Sequence, residues 1–155
     1  MTTTKQALLA LEKTGKYVFH GSGVEIKRFD PRQAYTIIDG KNIPDGTPAV
    51  FASSLVDYAI FMSLLNKNNC PNGFRSSVNV VRDPNGPTRL RLLADEKGMS
   101  QLNDGSSGFV YVFDKEQFSP RPQGDTEYVC LHGVEPLSTF NVGRQELSDV
   151  EEIKL

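Results

Sequence analysis

Cysteine is scarce in this 155-residue chain, with Cys70 and Cys130 the only two. Two cysteines cannot build the dense disulfide framework of a small secreted domain, so a reducing compartment is expected. Long apolar runs are missing, since no stretch approaches the roughly 20 residues needed to cross a bilayer. The opening "MTTTKQALLALEKTG" has neither the apolar core nor the cleavage site of a secretory signal. The expectation is a cytoplasmic protein with no membrane partner. Excess charge is absent too. A net charge of −2 creates no field that would draw the chain onto a polyanion, although a local basic groove remains open. There is no P-loop, and "GSG" at 21–23 is too short for a dinucleotide fingerprint.

What is present is ordinary for a globular fold: 38% hydrophobic and 23% charged residues, in a length that suits one domain spanning 1–155. Residues 4–13 read as a short amphipathic helix, capped by Thr4 and stopped by Gly15. "YVFH" reads as a strand. "VEIKRFDPRQAY" alternates Val24, Ile26 and Phe29 with charges and meets a turn or helix start at Asp30-Pro31. "DGKNIPDGTP" reads as a loop and "AVFAS" as a buried strand. The strongest helical pattern is "SLVDYAIFMSLLNK", opened by Ser54-x-x-Asp57. "SVNVVRDPNGPTRLRLLAD" predicts a hairpin. A loop, "GMSQLNDGSSG", then leads to the strand "FVYVFD". After the loop "SPRPQGDT" come the strands "EYVCLHGV" and "STFNVG", with "EEIKL" as a last strand. The sum is a strand-rich α+β domain with its helices towards the N-terminal half.

Few residues bear obvious chemistry. Cys130 and His132 share one face of an expected strand. Together with His20 and Cys70 they lack the paired spacing of a structural zinc site, so no metal is expected. A reactive thiol needs a cation or a helix N-terminus beside it; Cys130 lies mid-strand in an apolar run, and Cys70, in a polar loop before proline, has no evident base nearby. Arg89 and Arg91 fall on one strand face with Arg82 on the partner strand, more the pattern of a solvated face than of a phosphate stripe.

Three segments remain: "FHGSG" at 19–23, "AVFASSLVDYAIF" at 49–61 and "DTEYVCL" at 125–131. Their order and setting resemble the three motifs of the diphtheria-toxin and poly(ADP-ribose) polymerase group of ADP-ribosyltransferases. "FHGS" resembles the His-Gly-Ser of the group's first strand. "AVFAS" with the helix after it looks like the second motif, with Phe61 at the position of its later aromatic. "TEYVCL" is similar to the third, where a strand opens on the catalytic glutamate.

The resemblance implies a split antiparallel sheet with flanking helices and NAD+ bound in the split, as a substrate and without a metal. His20 would donate a hydrogen bond to the adenosine ribose. Gly21 would offer its backbone to the nicotinamide carboxamide, and Ser22 its hydroxyl. Arg32 and Ala52 would complete the contacts to NAD+. Phe61, Phe51 and Tyr58 are the candidate rings to stack on nicotinamide, a planar cation. Glu127 would accept a hydrogen bond from the ribose 2′-OH and stabilise the oxocarbenium-like transition state.

Two positions depart from the group. Val50 stands where a tyrosine usually precedes the Phe-Ala pair, and Asp125 precedes Glu127 by two where the arginine-modifying branch has Glu or Gln. The expected function is NAD+-dependent ADP-ribosyl transfer to a protein or nucleic-acid target, in the manner of a bacterial or phage effector or toxin. The alternatives are a non-catalytic module that binds NAD+, ADP-ribose or a protein, and an RNA 2′-phosphotransferase-like enzyme.

Overall fold

The computed structural model describes residues 2–82, 84–86, 88–122 and 126–153, with backbone alone at 36, 37 and 45. Asp125 lies outside them. Among the described residues, three α-helices and ten strands make a mixed α+β fold whose main sheet is antiparallel. That sheet has seven strands, in the order β7 (Ser119–Pro120), β8 (Glu127–Cys130), β3 (Lys41–Ser53), β1 (Tyr17–Ser22), β6 (Ser107–Asp114) and β9 (Ser138–Gly143), with β2 (Arg32–Ile38) paired to the far part of β3. A second sheet sets β5 (Arg89–Ala94) between β4 (Ser76–Val81) and β10 (Val150–Glu152).

Alternation along the strands divides two cores. Phe19, Val110 and Val112 face one side, where they pack with Leu8 of α1 (Thr4–Lys13) and with Val56, Ile60, Phe61 and Leu64 of α2 (Val56–Leu64). Val18, Val50, Tyr111 and Phe113 face the other, around Phe29, whose ring meets Tyr111 and Phe113 edge-on. Helix α2 lies directly on the sheet. A Cβ at Gly21 would stand 1.8 Å from the Ala59 carbonyl oxygen, and one at Gly108 would stand 2.4 Å from that of Ser63. Two glycines on adjacent strands thus make the seat for the helix.

Several expectations change. "DGKNIPDGTP" is no loop, because Asp39 and Gly40 both take positive φ (52° and 76°), the geometry of a type I′ turn. They reverse β2 into β3, which runs straight through the polar stretch. Residues 24–31 make no alternating strand, since Val24 is exposed while Phe29 is buried and bridges to Val134. "GMSQLNDGSSG" contains most of a helix, α3 (Glu96–Asn103), where the Asp95 side chain accepts from Gly98 N–H at 2.9 Å. The cap of α1 is Thr3, in a reciprocal box with Gln6. Ser54 does not open α2. There the Val56 N–H donates to Glu12 Oε1 of α1 at 2.7 Å, so one helix caps the other. Strand β8 ends at Cys130, short of His132. The two strands of the 76–94 hairpin pair as expected, with Asp83 and Pro87 of its turn outside the described residues. Of "EEIKL" only Glu151 and Glu152 are strand, Ile153 is not, and Lys154 and Leu155 lie outside the described residues.

Candidate functional site

Strands β1 and β3 share a single aligned pair, Phe19 with Ser53, whereas β1 stays paired with β6 over all six of its residues. Where β1 and β3 part, a cleft of about 390 Å³ opens, bordered by α2. That size falls within the range of small-molecule sites, roughly 300–1,000 Å³. His20, Gly21, Phe51, Ala52, Tyr58 and Glu127 all line it, so residues from all three sequence segments meet there.

His20 bridges the parting strands. Its Nδ1 lies 2.6 Å from the Phe51 carbonyl oxygen, and its ring packs edge-on to Phe29 at 5.2 Å. A carbonyl can only accept, so Nδ1 carries the proton. Burial pushes the imidazole pKa down, the Phe51 carbonyl pulls it back up, and Arg32 adds a smaller downward push. The neutral ring therefore leaves Nε2 as an acceptor. The nitrogen left to face a ligand is thus Nε2, as an acceptor, where the sequence reading has His20 donate.

Glu127 opens β8 opposite Ser53. On its other side the Arg121 N–H donates to the Glu127 carbonyl at 2.9 Å, extending the β7–β8 pairing. The two side chains meet as well, with Arg121 Nη1 at 3.2 Å from Glu127 Oε2. The same guanidinium lies over the Phe51 ring, 5.5 Å from its centroid. Tyr58 stands close enough to feel both charges. Burial raises its phenol pKa, Glu127 raises it further, and Arg121 opposes them, so the hydroxyl remains a donor.

Three expected residues sit elsewhere. Phe61 is fully buried in the helix-side core and stacks on nothing in the cleft. Tyr58 and Met62 lie four residues apart on α2 and, with Asn66 just beyond the helix, face the cleft, while Phe61 turns toward the sheet. Ser22 binds its own turn, donating to the Val24 carbonyl at 2.7 Å and accepting from the Val24 N–H at 3.2 Å. Arg32 lines a smaller hollow of about 130 Å³, which shares His20 and Phe51 with the cleft. Gly21 does line the cleft, but the requirement for glycine comes from its packing against α2. Val50 is buried in the second core, so its position turns away from the Phe51 face.

Sequence reasoning missed Arg121, whose side chain pairs with that of Glu127. Its signal lay in "SPRPQGDT": an arginine just after β7, six residues before the glutamate, falls opposite it where β7 and β8 pair. The other polar candidates separate from the cleft. Arg91 forms a two-point pair with Glu151. Cys130 is buried, with its sulfur 3.5 Å from the His132 ring nitrogens. Among the described residues no group of three or more His, Cys, Asp or Glu side chains converges as a metal site, and no helix is long and apolar enough to cross a membrane. Comparisons with protein-family models, curated proteins and solved structures find no match to this chain.

Proposed function

We infer that the cleft binds NAD+ and that the protein is an NAD+-dependent ADP-ribosyltransferase with the split-sheet fold of that group. The observation that carries this reading is the convergence of His20, Phe51 and Glu127 on one cleft where β1 and β3 part. Each side chain there suits one task. The His20 Nε2 accepts a hydrogen bond from a hydroxyl of the adenosine ribose. Phe51 and Tyr58 supply ring faces to a planar cation. Glu127, held between β3 and Arg121, accepts from the 2′-OH of the nicotinamide ribose.

In the reaction the bond between C1′ and the nicotinamide nitrogen breaks. The bonding electrons leave with nicotinamide, which departs neutral, while positive charge builds on the ribosyl carbon. The Glu127 carboxylate stabilises that charge, and a nucleophile of the target protein or nucleic acid then bonds to C1′ and loses its proton to solvent. Catalysis needs this carboxylate to act more strongly on the transition state than on bound NAD+.

A non-catalytic NAD+- or ADP-ribose-binding module is the second reading. It is favoured by the Arg121–Glu127 pair, which already engages the carboxylate inside the cleft. Binding is tested first. Millimolar NAD+ should raise the melting temperature by binding only the folded state, and His20→Ala should shrink the shift. The absence of any shift in the parent protein would remove the dinucleotide site and both readings with it.

A further inference from the structure

The two groups best suited to hold a planar cation in the cleft already hold one. The Arg121 guanidinium is flat and positively charged. It lies 5.5 Å from the centroid of the Phe51 ring, within the roughly 6 Å over which such contacts act. It also reaches Glu127 Oε2 at 3.2 Å. We propose that Arg121 is an internal occupant of the cleft's cation seat, and that a pyridinium ligand must displace it to touch both Phe51 and Glu127.

Three features make displacement feasible. The Arg121 backbone is fixed opposite Glu127 by its N–H bond to the Glu127 carbonyl, so the guanidinium returns to the same place whenever the seat is empty. Neither partner is deeply buried: the side chains are 27% and 39% exposed, and ion pairs of that kind are weak enough to be traded for another cation. The arginine stem is long and can carry its charge toward solvent without disturbing the strand. Arg121 therefore sets a threshold. It keeps Glu127 paired in the empty protein and selects for ligands that replace both a ring contact and a charge.

The threshold has a measurable size. Apparent affinity falls by the fraction of molecules whose seat is vacant, so an arginine seated nine-tenths of the time weakens binding about tenfold. The proposal rests on the NAD+ reading only in taking the arriving group to be a pyridinium, and the probes separate the two. We would titrate the parent, Arg121→Gln and Arg121→Lys with 1-methylnicotinamide (a flat cation), with neutral nicotinamide and with NAD+, confirming the fold by melting temperature. Arg121→Gln should bind 1-methylnicotinamide about tenfold or more tightly than the parent. Its gain for nicotinamide should be smaller, and Arg121→Lys, charged but not flat, should fall between. If Arg121→Gln binds the cation no better than the parent, or neither binds it, the proposal is overturned. NAD+ binding alongside that result would keep the dinucleotide reading without it. A gain for the cation with no NAD+ binding would keep the seat and end the dinucleotide reading.

Discussion

The His20 imidazole is fixed at one nitrogen and open at the other, and both consequences can be tested. With Nδ1–H committed to the Phe51 carbonyl, nitrogen NMR should find the Nδ1-protonated neutral form near pH 7. Burial is the main cause that holds its pKa below the ordinary 6.5, so folding favours the uncharged ring. Stability from this source is fully present above 6.5 and drains away as pH falls through the folded-state value. Denaturant melts between pH 7.5 and 5 should therefore show the parent losing more stability than His20→Asn, whose amide can still donate to Phe51 and does not titrate. Equal losses would place the acid sensitivity elsewhere. The two aromatics of α2 show how fine this scale is: Tyr58 and Phe61 are three residues apart, yet one lines the cleft and the other fills the core.

Among the elements, α2 decides the shape of the site, and two devices hold it. The first is the pair of glycines beneath it. Gly21→Ala would drive a methyl into the Ala59 carbonyl, and Gly108→Ala into that of Ser63. Each should cost about 3 kcal/mol or more, at the upper end for overpacking, because backbone and not a flexible side-chain end is in the way. Denaturation midpoints measure this, and a loss below about 1 kcal/mol at Gly21 would contradict the packing account. The second device is Glu12, whose carboxylate accepts the Val56 N–H. Burial raises the Glu12 pKa above 4.5, Val56 pulls it down, Asp57 pushes it up, and Lys5 pulls it down a little. Lys5 also bonds Asp57 and the Glu146 carbonyl, tying helix to tail. A raised carboxyl pKa gives stability that is full below the unfolded value and is lost as pH rises through the folded one. Glu12→Gln keeps the acceptor without the buried charge, so it should match or exceed the parent at pH 7 and flatten the stability profile between pH 4.5 and 7. Glu12→Ala leaves the Val56 N–H without this cap and should cost about 1 kcal/mol.

Across the whole molecule, what was legible in the sequence was what local chemistry dictates. Periodicity showed α1, α2 and the 76–94 hairpin, and three short motifs pointed to residues that do meet in one cleft. Failure came where composition was read without geometry. Gly, Pro and Asp in 39–48 suggested a loop, although Asp39-Gly40 is itself a hairpin turn signal. Gly98, Gly105 and the serines hid α3 and its Asp95 cap. Arg121 stayed invisible because its importance arises from pairing across β7 and β8, a relation absent from any single segment. The central claim is that this assembled cleft does chemistry, with Glu127 stabilising the charge that forms as nicotinamide leaves. The most direct test is nicotinamide release from NAD+, with and without cell lysate, by the parent and by Glu127→Gln. The account predicts that the variant still binds NAD+ within a few-fold of the parent but turns over on the order of a hundredfold more slowly or worse, the usual loss for one preorganised electrostatic contact. Equal release from both proteins would contradict the assignment of Glu127, and NAD+ binding without release from either would make the protein a binding module.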